Sequence, residues 1–483
     1  MALVPADPMS RRAKIVCTLG PASSGMGQVA ALVAAGLDVA RLNMSHGTHD
    51  DHLKAYQAAR AAGDEAGRSV GVLVDLQGPK IRLGTFGSGP VVVAAGSEFT
   101  ITGEDVPGNS AEVATTYPGL AADVRTGDQV LVDDGRVVLE VTGVHGARVR
   151  TRVLVGGELS DHKGLNIPGA RLAVPALSTK DEEDLRWALG LRADMIALSF
   201  VRGPGDAAPV RTIMDERGAR LPVIAKIEKP QAVDALPEVL EAFDGLMVAR
   251  GDLGVELPLE QVPLVQKRAI SLAQEQAKPV IVATQMLESM ISAPRPTRAE
   301  VSDVANAVLD GADALMLSAE TSIGAFPAEA VATMARIVVA AEREYLHAAS
   351  SLPGAPATTG GAIARAAAEV GAVVNASALV AFTMTGDTAR RLARYRSPIP
   401  LLAFTSLQAT RSQLALTWGV ETFIVPPVRH TDDMVRQVQK ALIDVGRCRP
   451  GDKIVIVAGS PPGTPGRTNA LRVHRIGDVI GSD

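Results

Sequence analysis

The sequence is poor in cysteine, with only Cys17 and Cys448 among its 483 residues. The two lie far apart and show no metal-ligand spacing, so a reducing compartment is the expected setting. No apolar run approaches the roughly 18 residues of a membrane span. The opening residues MALVPADPMSRRAK contain no apolar core of a signal peptide. We therefore expect a cytoplasmic protein that does not bind a membrane.

Blocks of basic residues are also missing. The 48 lysines and arginines face 53 acidic residues, for a net charge of −5, which gives no indication of nucleic-acid binding. A mildly negative chain can still gather positive charge in one cleft, so small anionic substrates remain open. The chain lacks a Walker GxxxxGK[ST] loop and a protein-kinase signature. It also lacks the Ser-His-Asp order of a hydrolase.

Eight short apolar runs recur, and amphipathic, alanine-rich segments such as 48–67 and 259–276 separate them. Each run is too short for a helix, rich in Val, Ile and Leu, and not alternating, which is typical of parallel strands buried on both faces. Eight such strands predict a (β/α)₈ TIM barrel, with an open doubly wound sheet as the alternative. The runs are 14–20, 38–45, 70–77, 194–200, 221–228, 244–252, 279–285 and 313–320.

Two regions do not follow this pattern of apolar runs separated by amphipathic segments. Residues 78–174 are rich in β patterns cut by glycine turns, which predicts a small β-barrel lid domain inserted after the third strand. After a linker at 350–361, strands and helices alternate again, which predicts a C-terminal open α/β domain. We expect barrel segments at 1–77 and 175–346, the lid at 78–174 and a regulatory domain at 347–483.

Catalytic groups of such barrels come from the carboxyl ends of the strands. In this chain those ends carry many polar side chains, which predicts that they converge on one space. They are Arg41, Asn43, Ser45 and His46 on the second strand, Asp75 on the third, Lys226 and Glu228 on the fifth, Arg250 and Asp252 on the sixth, Thr284 on the seventh, and Ser318 and Glu320 on the eighth.

The types of these residues indicate phosphoryl chemistry. Glu228 and Asp252 suit a hard divalent cation such as Mg²⁺ or Mn²⁺, and no His/Cys cluster favours zinc. Arg41 and Lys226 suit a phosphoryl group, whose transfer mainly requires positioning and charge neutralisation. Each residue alone has a plain alternative, such as a Lys226–Glu228 salt bridge or a helix cap. The convergence of so many polar groups favours function.

Several long motifs resemble the pyruvate kinase family. They are RLNMSHG, AKIEKP, GLMVARGDLGVELP, HKGLNIPG and the block ATQMLESMISAPRPTRAEVSDVANAVLDGADALMLSAETSIGAFPAEAV. They occur in the family's order and span essentially the whole chain. The resemblance implies the same architecture and the reaction of phosphoenolpyruvate with ADP to give pyruvate and ATP. A metal-dependent lyase or aldolase on the same barrel, and a non-catalytic metabolite sensor, are the alternatives.

The resemblance also implies a role for each motif residue. Arg41 and Lys226 are expected to hold the phosphoryl group, and Glu228 and Asp252 to bind Mg²⁺. Thr284 and Ser318 are expected near the carbon that is protonated. The backbone of Ala249, Arg250 and Gly251 and the side chain of Thr284 are expected to hold the substrate carboxylate, and Asp252 is expected to contact the substrate as well. The implied nucleotide site is Asn43, Met44, Ser45, His46, Arg82 and Lys163.

The chain departs from the family pattern at a monovalent-cation site. In the family, positions matching Asn43, Ser45 and Asp75 bind K⁺, and potassium-dependent members typically read DTKGPEIRT. This chain reads DLQGPKIRL, so Leu76 replaces a threonine ligand and Lys80 a glutamate. We expect the Lys80 ammonium to reach toward Asp75 and replace the ion, so that K⁺ is not required.

The segment FTMTGDTARRLARY places Thr383, Thr385 and Thr388 between a strand and a helix. A helix N-terminus with hydroxyl groups can bind an anion, while a simple cap and tight turn is the alternative. The resemblance favours an effector phosphate site there, with the loop 459–469 able to close over it. It also suggests a homotetramer.

Overall fold

In this computed structural model, residues 11–170, 172–348, 358–462 and 466–480 are described. The elements fall into four consecutive groups. The first is β1 (Lys14–Thr18), α1 (Met26–Ala35), β2 (Val39–Asn43), α2 (His49–Glu65) and β3 (Gly71–Asp75). The second is β4 (Val91–Val93), β5 (Glu98–Thr102), β6 (Glu112–Ala114), α3 (Leu120–Asp123), β7 (Gln129–Val132), β8 (Val137–His145), β9 (Arg148–Val155), β10 (Gly157–Leu159) and β11 (Leu165–Asn166).

The third and fourth groups complete the chain. The third is α4 (Thr179–Leu191), β12 (Met195–Leu198), α5 (Ala207–Glu216), β13 (Val223–Ile227), α6 (Pro230–Asp234), α7 (Leu236–Ala242), β14 (Gly245–Ala249), α8 (Arg250–Glu256), α9 (Val262–Glu275), β15 (Val280–Ala283), α10 (Arg298–Leu309), β16 (Ala314–Leu317), α11 (Ala319–Ser322) and α12 (Pro327–Ala348). The fourth is α13 (Thr359–Val373), β17 (Ala378–Phe382), α14 (Asp387–Ala393), β18 (Leu401–Thr405), α15 (Gln408–Gln413), β19 (Val420–Ile424), α16 (Thr431–Asp444), β20 (Lys453–Ala458) and β21 (Ala470–Arg475).

The first and third groups form one closed barrel of eight parallel strands, in the order β1, β16, β15, β14, β13, β12, β3 and β2. Each strand falls within one of the eight apolar runs, so the predicted TIM barrel is confirmed and the open sheet is wrong. The strands are buried on both faces, which is why their sequences do not alternate.

Local sequence fixes where the barrel helices begin. Helix α2 starts with a capping box between Thr48 and Asp51, and α4 with one between Ser178 and Asp181. Asp181 has a second role, because its other carboxylate oxygen accepts the Gly78 amide at 2.9 Å. The start of α4 therefore holds the chain where it leaves the barrel for the insertion.

The second group is the inserted β domain. It contains a six-stranded mixed sheet in the order β11, β7, β8, β9, β5 and β6, and a two-stranded ribbon of β4 and β10. Phe99, Ile101, Val130 and Leu139 are fully buried in its own apolar core. The insertion leaves the barrel after β3 and returns before α4, as its sequence pattern predicted.

The fourth group is an open five-stranded sheet in the order β19, β18, β17, β20 and β21, with only β21 antiparallel. This confirms the C-terminal α/β domain. Most of the expected linker lies outside the described residues. Its last part is helical, because Thr358 caps α13 by accepting the Gly361 amide at 3.1 Å.

The C-terminal domain closes the amino-terminal end of the barrel. Ala415 and Leu416 of that domain belong to the apolar cluster that fills the barrel interior, together with Met195 and Met247. Arg396 pairs with Asp313 at 3.1 Å beside them, and both side chains are buried. The barrel is therefore open at one end only.

An aspartate repeats at this closed end, directly before every second barrel strand. Each of the four carboxylates accepts the amide at the start of the preceding strand, at 2.7 to 3.1 Å, and each pairs with an arginine. The sets are Asp38 with Ile15 and Arg11, Asp194 with Val72 and Arg60, Asp244 with Val223 and Arg211, and Asp313 with Val280 and Arg396.

None of the helices in the described ranges is both long and apolar enough to cross a membrane.

Candidate active site

Four charged side chains meet at the open end of the barrel. Arg41 donates from Nε to Asp75 at 2.7 Å. The Lys226 ammonium lies 2.9 Å from Glu228 and 3.4 Å from Asp75. Arg41, Asp75 and Glu228 are buried, and only about a tenth of the Lys226 side chain is exposed. The predicted ends of the second, third and fifth strands therefore come together, and Arg41 and Lys226 are held side by side by Asp75 and Glu228.

Two hydroxyl groups that sequence reasoning missed support this cluster. The Lys226 ammonium donates to Ser199 Oγ at 2.7 Å, and Ser199 in turn donates to the Leu76 carbonyl at 2.7 Å. Arg41 donates to Thr18 Oγ1 at 2.9 Å. Thr18 ends β1 and Ser199 follows β12, so the strand-end rule would have found both if it had been applied to every strand.

The cluster keeps its charges. Burial disfavours the Lys226 ammonium, but Asp75 and Glu228 outweigh it and raise the pKa of Lys226 to about 12. Burial likewise opposes ionisation of Asp75, yet Lys226 and then Arg41 lower the pKa of this carboxyl. Two fixed positive charges in a half-closed space can bind a phosphoryl group.

The carboxylates of Glu228 and Asp252 fit a divalent cation. Burial, together with the nearby charge of Asp252, raises the pKa of Glu228, and a cation would relieve this repulsion. In the described part of the chain, the Asp252 carboxylate makes no hydrogen bond or ion pair, so it is free to bind a metal. No cluster of three or more His, Cys, Asp or Glu is found among these residues. Two carboxylates suit Mg²⁺, which keeps waters and substrate oxygens as its other ligands.

Thr284 lies at the end of β15 with its backbone in the left-handed region, at a φ of +70°. Its hydroxyl accepts the Gly251 amide at 2.7 Å, at the start of α8. Arg250 turns its side chain away, pairing with Asp303 at 2.7 Å and donating to the Thr284 carbonyl at 2.9 Å. Ala249 to Asp252 therefore offer backbone at this edge of the site, while the Arg250 guanidinium fixes the loop.

The Ser318 hydroxyl is buried and has no hydrogen-bond partner among the described residues. Its amide donates to Glu320 at 2.7 Å, and the other oxygen of Glu320 accepts the Leu287 amide at 3.1 Å. Glu320 thus holds two loops together, whereas Ser318 keeps a free hydroxyl. An unpartnered buried hydroxyl at the end of a barrel strand indicates a ligand or water site.

The segment from Asn43 to His46 follows β2 beside the cluster. The Met44 amide donates to the Asp75 carbonyl at 2.9 Å, and Asn43 Oδ1 accepts the Ser45 amide at 3.3 Å. The His46 carbonyl accepts from His52 at 2.9 Å. Met44 is buried, and its side chain packs in the apolar core around the barrel.

Arg82 and Lys163 lie together in the inserted domain, where Arg82 bridges to Gly164. Arg82 donates to the His162 carbonyl at 2.9 Å, and Lys163 pairs with Asp133 at 3.0 Å. The structure therefore brings these two predicted nucleotide ligands to each other. No hydrogen bond or ion pair within the described ranges joins either side chain to the barrel cluster.

Lys80 does not occupy the expected position against Asp75. The cationic partners of Asp75 are Arg41 and Lys226, and no ion pair between Lys80 and Asp75 is found in the described parts of the chain. Instead the Lys80 side chain lies against the lid, with Cε 3.0 Å from where a Cβ would stand on Gly164. The Gly78-Pro79 turn carries Lys80 past the barrel edge, so the predicted contact is absent.

The three predicted effector residues line one small cavity of about 30 Å³ with the loop that follows β20. Thr388 Oγ1 lies 2.7 Å from Thr468 Oγ1, and Thr383 Oγ1 accepts the Gly386 amide at 3.0 Å. Thr385 is exposed at the mouth. The described parts of the 459–469 loop line the same cavity as the threonines.

Comparison with known proteins agrees with this arrangement. Residues 10–331 match the family model "Pyruvate kinase, barrel domain", and residues 361–474 match "Pyruvate kinase, alpha/beta domain". A pyruvate kinase from Mycobacterium tuberculosis is 59% identical over 470 residues, which cover 97% of this chain and 99% of that protein. One from Corynebacterium glutamicum is 56% identical, with 97% and 98% covered.

A solved structure shows the same likeness in three dimensions. The crystal structure of a pyruvate kinase from Cryptosporidium parvum superposes with a TM-score of 0.91 at 35% identity and covers 98% of both chains. The chain belongs to the pyruvate kinase family of phosphotransferases.

Proposed function

We propose that the chain transfers the phosphoryl group of phosphoenolpyruvate to ADP, giving pyruvate and ATP. The observation that carries this proposal is the buried Lys226 ammonium, held by Asp75, Glu228 and Ser199 beside the Arg41 guanidinium. Phosphoryl transfer requires fixed positive charge where three phosphoryl oxygens pass from donor to acceptor, and this cluster supplies it.

In this reaction Arg41 holds the phosphoryl group of the substrate and Lys226 follows it during transfer. The bond from phosphorus to the enol oxygen breaks, and a bond from phosphorus to the terminal oxygen of ADP forms. Arg41 and Lys226 are already fixed by Asp75, so they need little reorganisation as charge moves.

Glu228 and Asp252 hold Mg²⁺ or Mn²⁺, which when bound neutralises charge on the substrate oxygens. The free carboxylate of Asp252 and the pKa of Glu228, which burial raises, both favour this role. The backbone of Ala249, Arg250 and Gly251 and the Thr284 hydroxyl orient the substrate carboxylate.

A proton must reach the carbon of the enol once the phosphoryl group has left. The unpartnered hydroxyl of Ser318 and the hydroxyl of Thr284 are placed to orient a water for this step. The backbone of Thr284 is in the left-handed conformation. This conformation is strained for a residue other than glycine, and such strain clusters at functional sites.

The nucleotide binds between the barrel and the lid. Asn43 to His46 contribute from the barrel, and Arg82 and Lys163 contribute from the lid. Both lid residues are paired within the lid, so their use requires Lys163 to exchange Asp133 for a phosphate. Closure of the inserted domain would provide this exchange.

We also propose that the enzyme works without K⁺. Leu76 is buried and offers no oxygen ligand next to Asn43, Ser45 and Asp75, the residues of the monovalent-cation position. Lys80 supplies its single positive charge at the lid hinge, beside Gly164. The charge of Lys80 at the hinge and the ligand lost at Leu76 support this proposal without a contact between Lys80 and Asp75.

The proposal also covers the effector site, the assembly and the location of the protein. Thr383, Thr385 and Thr388 bind the phosphate of an allosteric effector under the 459–469 loop. The protein works in the cytoplasm as a homotetramer, with barrel, lid and regulatory domains bounded at 77, 174 and 346. It requires no nucleic acid or membrane.

The decisive experiment separates phosphoryl transfer from proton transfer. Lys226→Met should abolish ATP formation from phosphoenolpyruvate and ADP. Metal-dependent exchange of the pyruvate methyl protons with deuterium, followed by NMR, should survive because Glu228 and Asp252 remain. Lys440→Met, which removes an exposed lysine paired with Asp444, is the matched control. Loss of both activities would contradict the assigned role, and a lyase would turn over without ADP.

A further inference from the structure

Three largely buried side chains, Asn166, Lys229 and Glu256, meet beside the proposed metal carboxylates. Oε1 of Glu256 accepts from the Lys229 ammonium at 2.5 Å and from the side-chain amide of Asn166 at 2.9 Å. The Glu256 side chain is only 2% exposed and that of Lys229 only 16%. Separating a buried pair of this kind leaves an uncompensated charge, so the pair holds together the two elements that carry it.

Lys229 and Glu256 each lie close in the chain to one of the metal carboxylates. Lys229 directly follows Glu228 after β13, and Glu256 follows Asp252 by four residues on α8. Residues four apart lie on the same face of a helix. The Lys229–Glu256 pair therefore joins the loop that bears one metal carboxylate to the helix that bears the other.

The Lys229 ammonium also contacts the residue that holds Glu228. It lies 5.6 Å from the ring centroid of Phe200, within the range of a cation–π contact. The Phe200 amide donates to Glu228 Oε2 at 2.7 Å. Phe200 has a φ of +56°, a strained conformation that persists only where neighbouring groups hold it. Lys229 therefore supports the position of Glu228 through Phe200 as well as through the chain.

Asn166 connects this cluster to the lid. It lies on β11, which pairs with β7 in the lid sheet, and it follows Lys163 by three residues. Its side chain donates to the same oxygen of Glu256 that accepts from Lys229. A lid movement that separates Asn166 from Glu256 would therefore change the hydrogen bonding at the end of α8, the helix that carries Asp252.

We propose that Glu256 is a positioning residue for the metal site. Together with Lys229 it sets the spacing of the Glu228 and Asp252 carboxylates, and through Asn166 it links this spacing to the position of the lid. The inference rests on the metal site of the proposed function. Groups that orient metal ligands typically change metal affinity by about 10- to 100-fold when they are substituted.

Binding of Mn²⁺ to the full-length enzyme, without substrate or nucleotide, tests this proposal. Electron paramagnetic resonance of the free ion measures the affinity. Lys229→Met should weaken Mn²⁺ binding by about tenfold or more, because the loop of Glu228 is no longer tied to α8. Lys229→Arg keeps the charge and should restore most of the affinity. Unchanged affinity in a folded Lys229→Met enzyme would overturn the proposal.

Arg396→Met is the matched control, because it also removes the cation of a buried ion pair but lies at the closed end of the barrel. It should lower the thermal midpoint and leave the Mn²⁺ affinity unchanged. An equal loss of affinity in Arg396→Met and Lys229→Met would show general destabilisation and would overturn the proposal.

If Lys229→Met does not fold, Glu256→Gln decides the question. This variant keeps the size of the side chain and an acceptor oxygen for Asn166, but it removes the charge that attracts Lys229. Its Mn²⁺ affinity should still fall by several-fold. Equal affinity in Glu256→Gln and wild type would refute the role of Glu256.

Asn166→Ala tests the link to the lid. Its Mn²⁺ affinity should fall by a smaller factor than that of Lys229→Met, because the ion pair remains. Gln231→Ala is its control, since Gln231 also joins the barrel to the end of the insertion, donating to the Ala170 carbonyl at 3.2 Å. Wild-type affinity in Asn166→Ala, or the same loss in Gln231→Ala, would overturn the link between the lid and the metal site.

Glu228→Gln separates this proposal from the proposed function. It removes a metal carboxylate and should abolish Mn²⁺ binding. If Glu228→Gln binds Mn²⁺ as the wild type does, or if the wild type binds none, the metal site itself is wrong and the role of Glu256 falls with it. If Glu228→Gln loses Mn²⁺ while Lys229→Met and Glu256→Gln keep it, only the role of Glu256 is wrong.

Discussion

The two ends of the barrel differ in how completely their polar side chains are paired. At the closed end, four aspartates repeat before alternate strands, and each has both an amide and an arginine as partners. At the open end, Asp252 has no partner and Ser318 keeps a free hydroxyl in the described structure. Arg41 and Lys226 both pair with Asp75 there, and Lys226 also pairs with Glu228.

This difference shows where the molecule gains stability and where it gains function. Satisfied carboxylates at the closed end tie neighbouring strands and the C-terminal domain together. Incomplete pairing at the open end leaves groups free to meet substrate and metal, at a cost in stability. Substitutions at the two ends should therefore have opposite consequences for activity and for folding.

The largest effect is expected at the open end. Glu228→Gln removes a carboxylate of the proposed metal site and should lower kcat/KM by about a thousandfold, the scale seen when a charge-stabilising group is removed. The thermal midpoint should change little, because the loss of the repulsion with Asp252 offsets the lost ion pair with Lys226.

Glu216→Gln, on an exposed part of α5, is the matched control and should change neither quantity. A Glu228→Gln enzyme that unfolds more easily yet keeps its turnover would mean that the open end serves stability, and the contrast between the two ends would be lost.

The next effect is expected at the closed end. Arg396→Met leaves Asp313 buried with only the Val280 and Trp418 amides, at 3.1 and 3.2 Å. Breaking a buried ion pair on one side should cost about 3 kcal/mol of unfolding free energy. Urea unfolding measures this loss, while kcat should stay within a factor of about two of wild type, since Arg396 is far from the chemistry in the fold.

Lys440→Met removes an exposed pair with Asp444 and should cost less than about 1 kcal/mol. If Arg396→Met is as stable as this control, the aspartate and arginine pairs at the closed end contribute nothing to folding.

The sequence predicts much of this contrast, for physical reasons. Buried parallel strands require continuous apolar runs, so the barrel and the residues at its strand ends could be found from pattern alone. The repeated aspartates were visible too, since Asp38, Asp194, Asp244 and Asp313 each begin one of those runs. Their arginine partners lie before β1, on α2 and α5, or in the C-terminal domain, and only the fold reveals these pairs.

Lys80 shows the limit of such reasoning. Its spacing from Asp75 allowed a contact, but spacing along the chain does not fix direction after a Gly-Pro turn. The turn points the side chain at Gly164 in the lid, a residue more than eighty positions away. Contacts between domains depend on how the insertion folds back, which local pattern does not contain.

A smaller effect is expected from the free hydroxyl of Ser318. Ser318→Ala should lower kcat by about tenfold, because a water that carries the proton loses one of its anchors. The KM for phosphoenolpyruvate and the thermal midpoint should be unchanged, since the hydroxyl has no hydrogen-bond partner among the residues that the structure describes. Rescue by Ser318→Thr, or a larger solvent isotope effect in the alanine variant, would support this role. Equal kcat in Ser318→Ala would contradict it.

The response of the activity to K⁺ tests the proposed roles of Lys80 and Leu76 at the open end of the barrel. With tetraalkylammonium as the only other monovalent cation, added KCl should change the wild-type activity by less than about twofold, the scale of ionic-strength effects on exposed charges. Lys80→Glu should lower the activity in the absence of K⁺, with only partial rescue by KCl because Leu76 supplies no oxygen. Strong activation of the wild type by K⁺ would contradict the proposal, and Lys54→Glu on exposed α2 controls for charge reversal.

The smallest expected effect is a difference between Asp38→Asn and Asp194→Asn in how their stability depends on pH. Burial opposes ionisation of Asp38, but Arg11, Lys14 and Arg68 outweigh it and lower the pKa of this carboxyl. A carboxyl with a lowered pKa stabilises the fold above its unfolded pKa, and this contribution is lost as pH falls through the folded pKa. The stability difference between wild type and Asp38→Asn should therefore stay nearly constant from pH 7 to about 4, the ordinary aspartate pKa, and shrink as pH falls below it.

Asp194 should behave in the opposite way. Burial raises its pKa and the single charge of Arg60 does not fully compensate, so folding disfavours its ionised form. The wild type then gains stability at this site as pH falls through the folded pKa, so its stability relative to Asp194→Asn should rise as pH is lowered from 7 toward about 4, the ordinary aspartate pKa. Urea midpoints of the two variants and the wild type, measured from pH 7 to about 3, give both trends. Parallel trends for Asp38→Asn and Asp194→Asn would mean that the number of arginine partners does not distinguish these two aspartates.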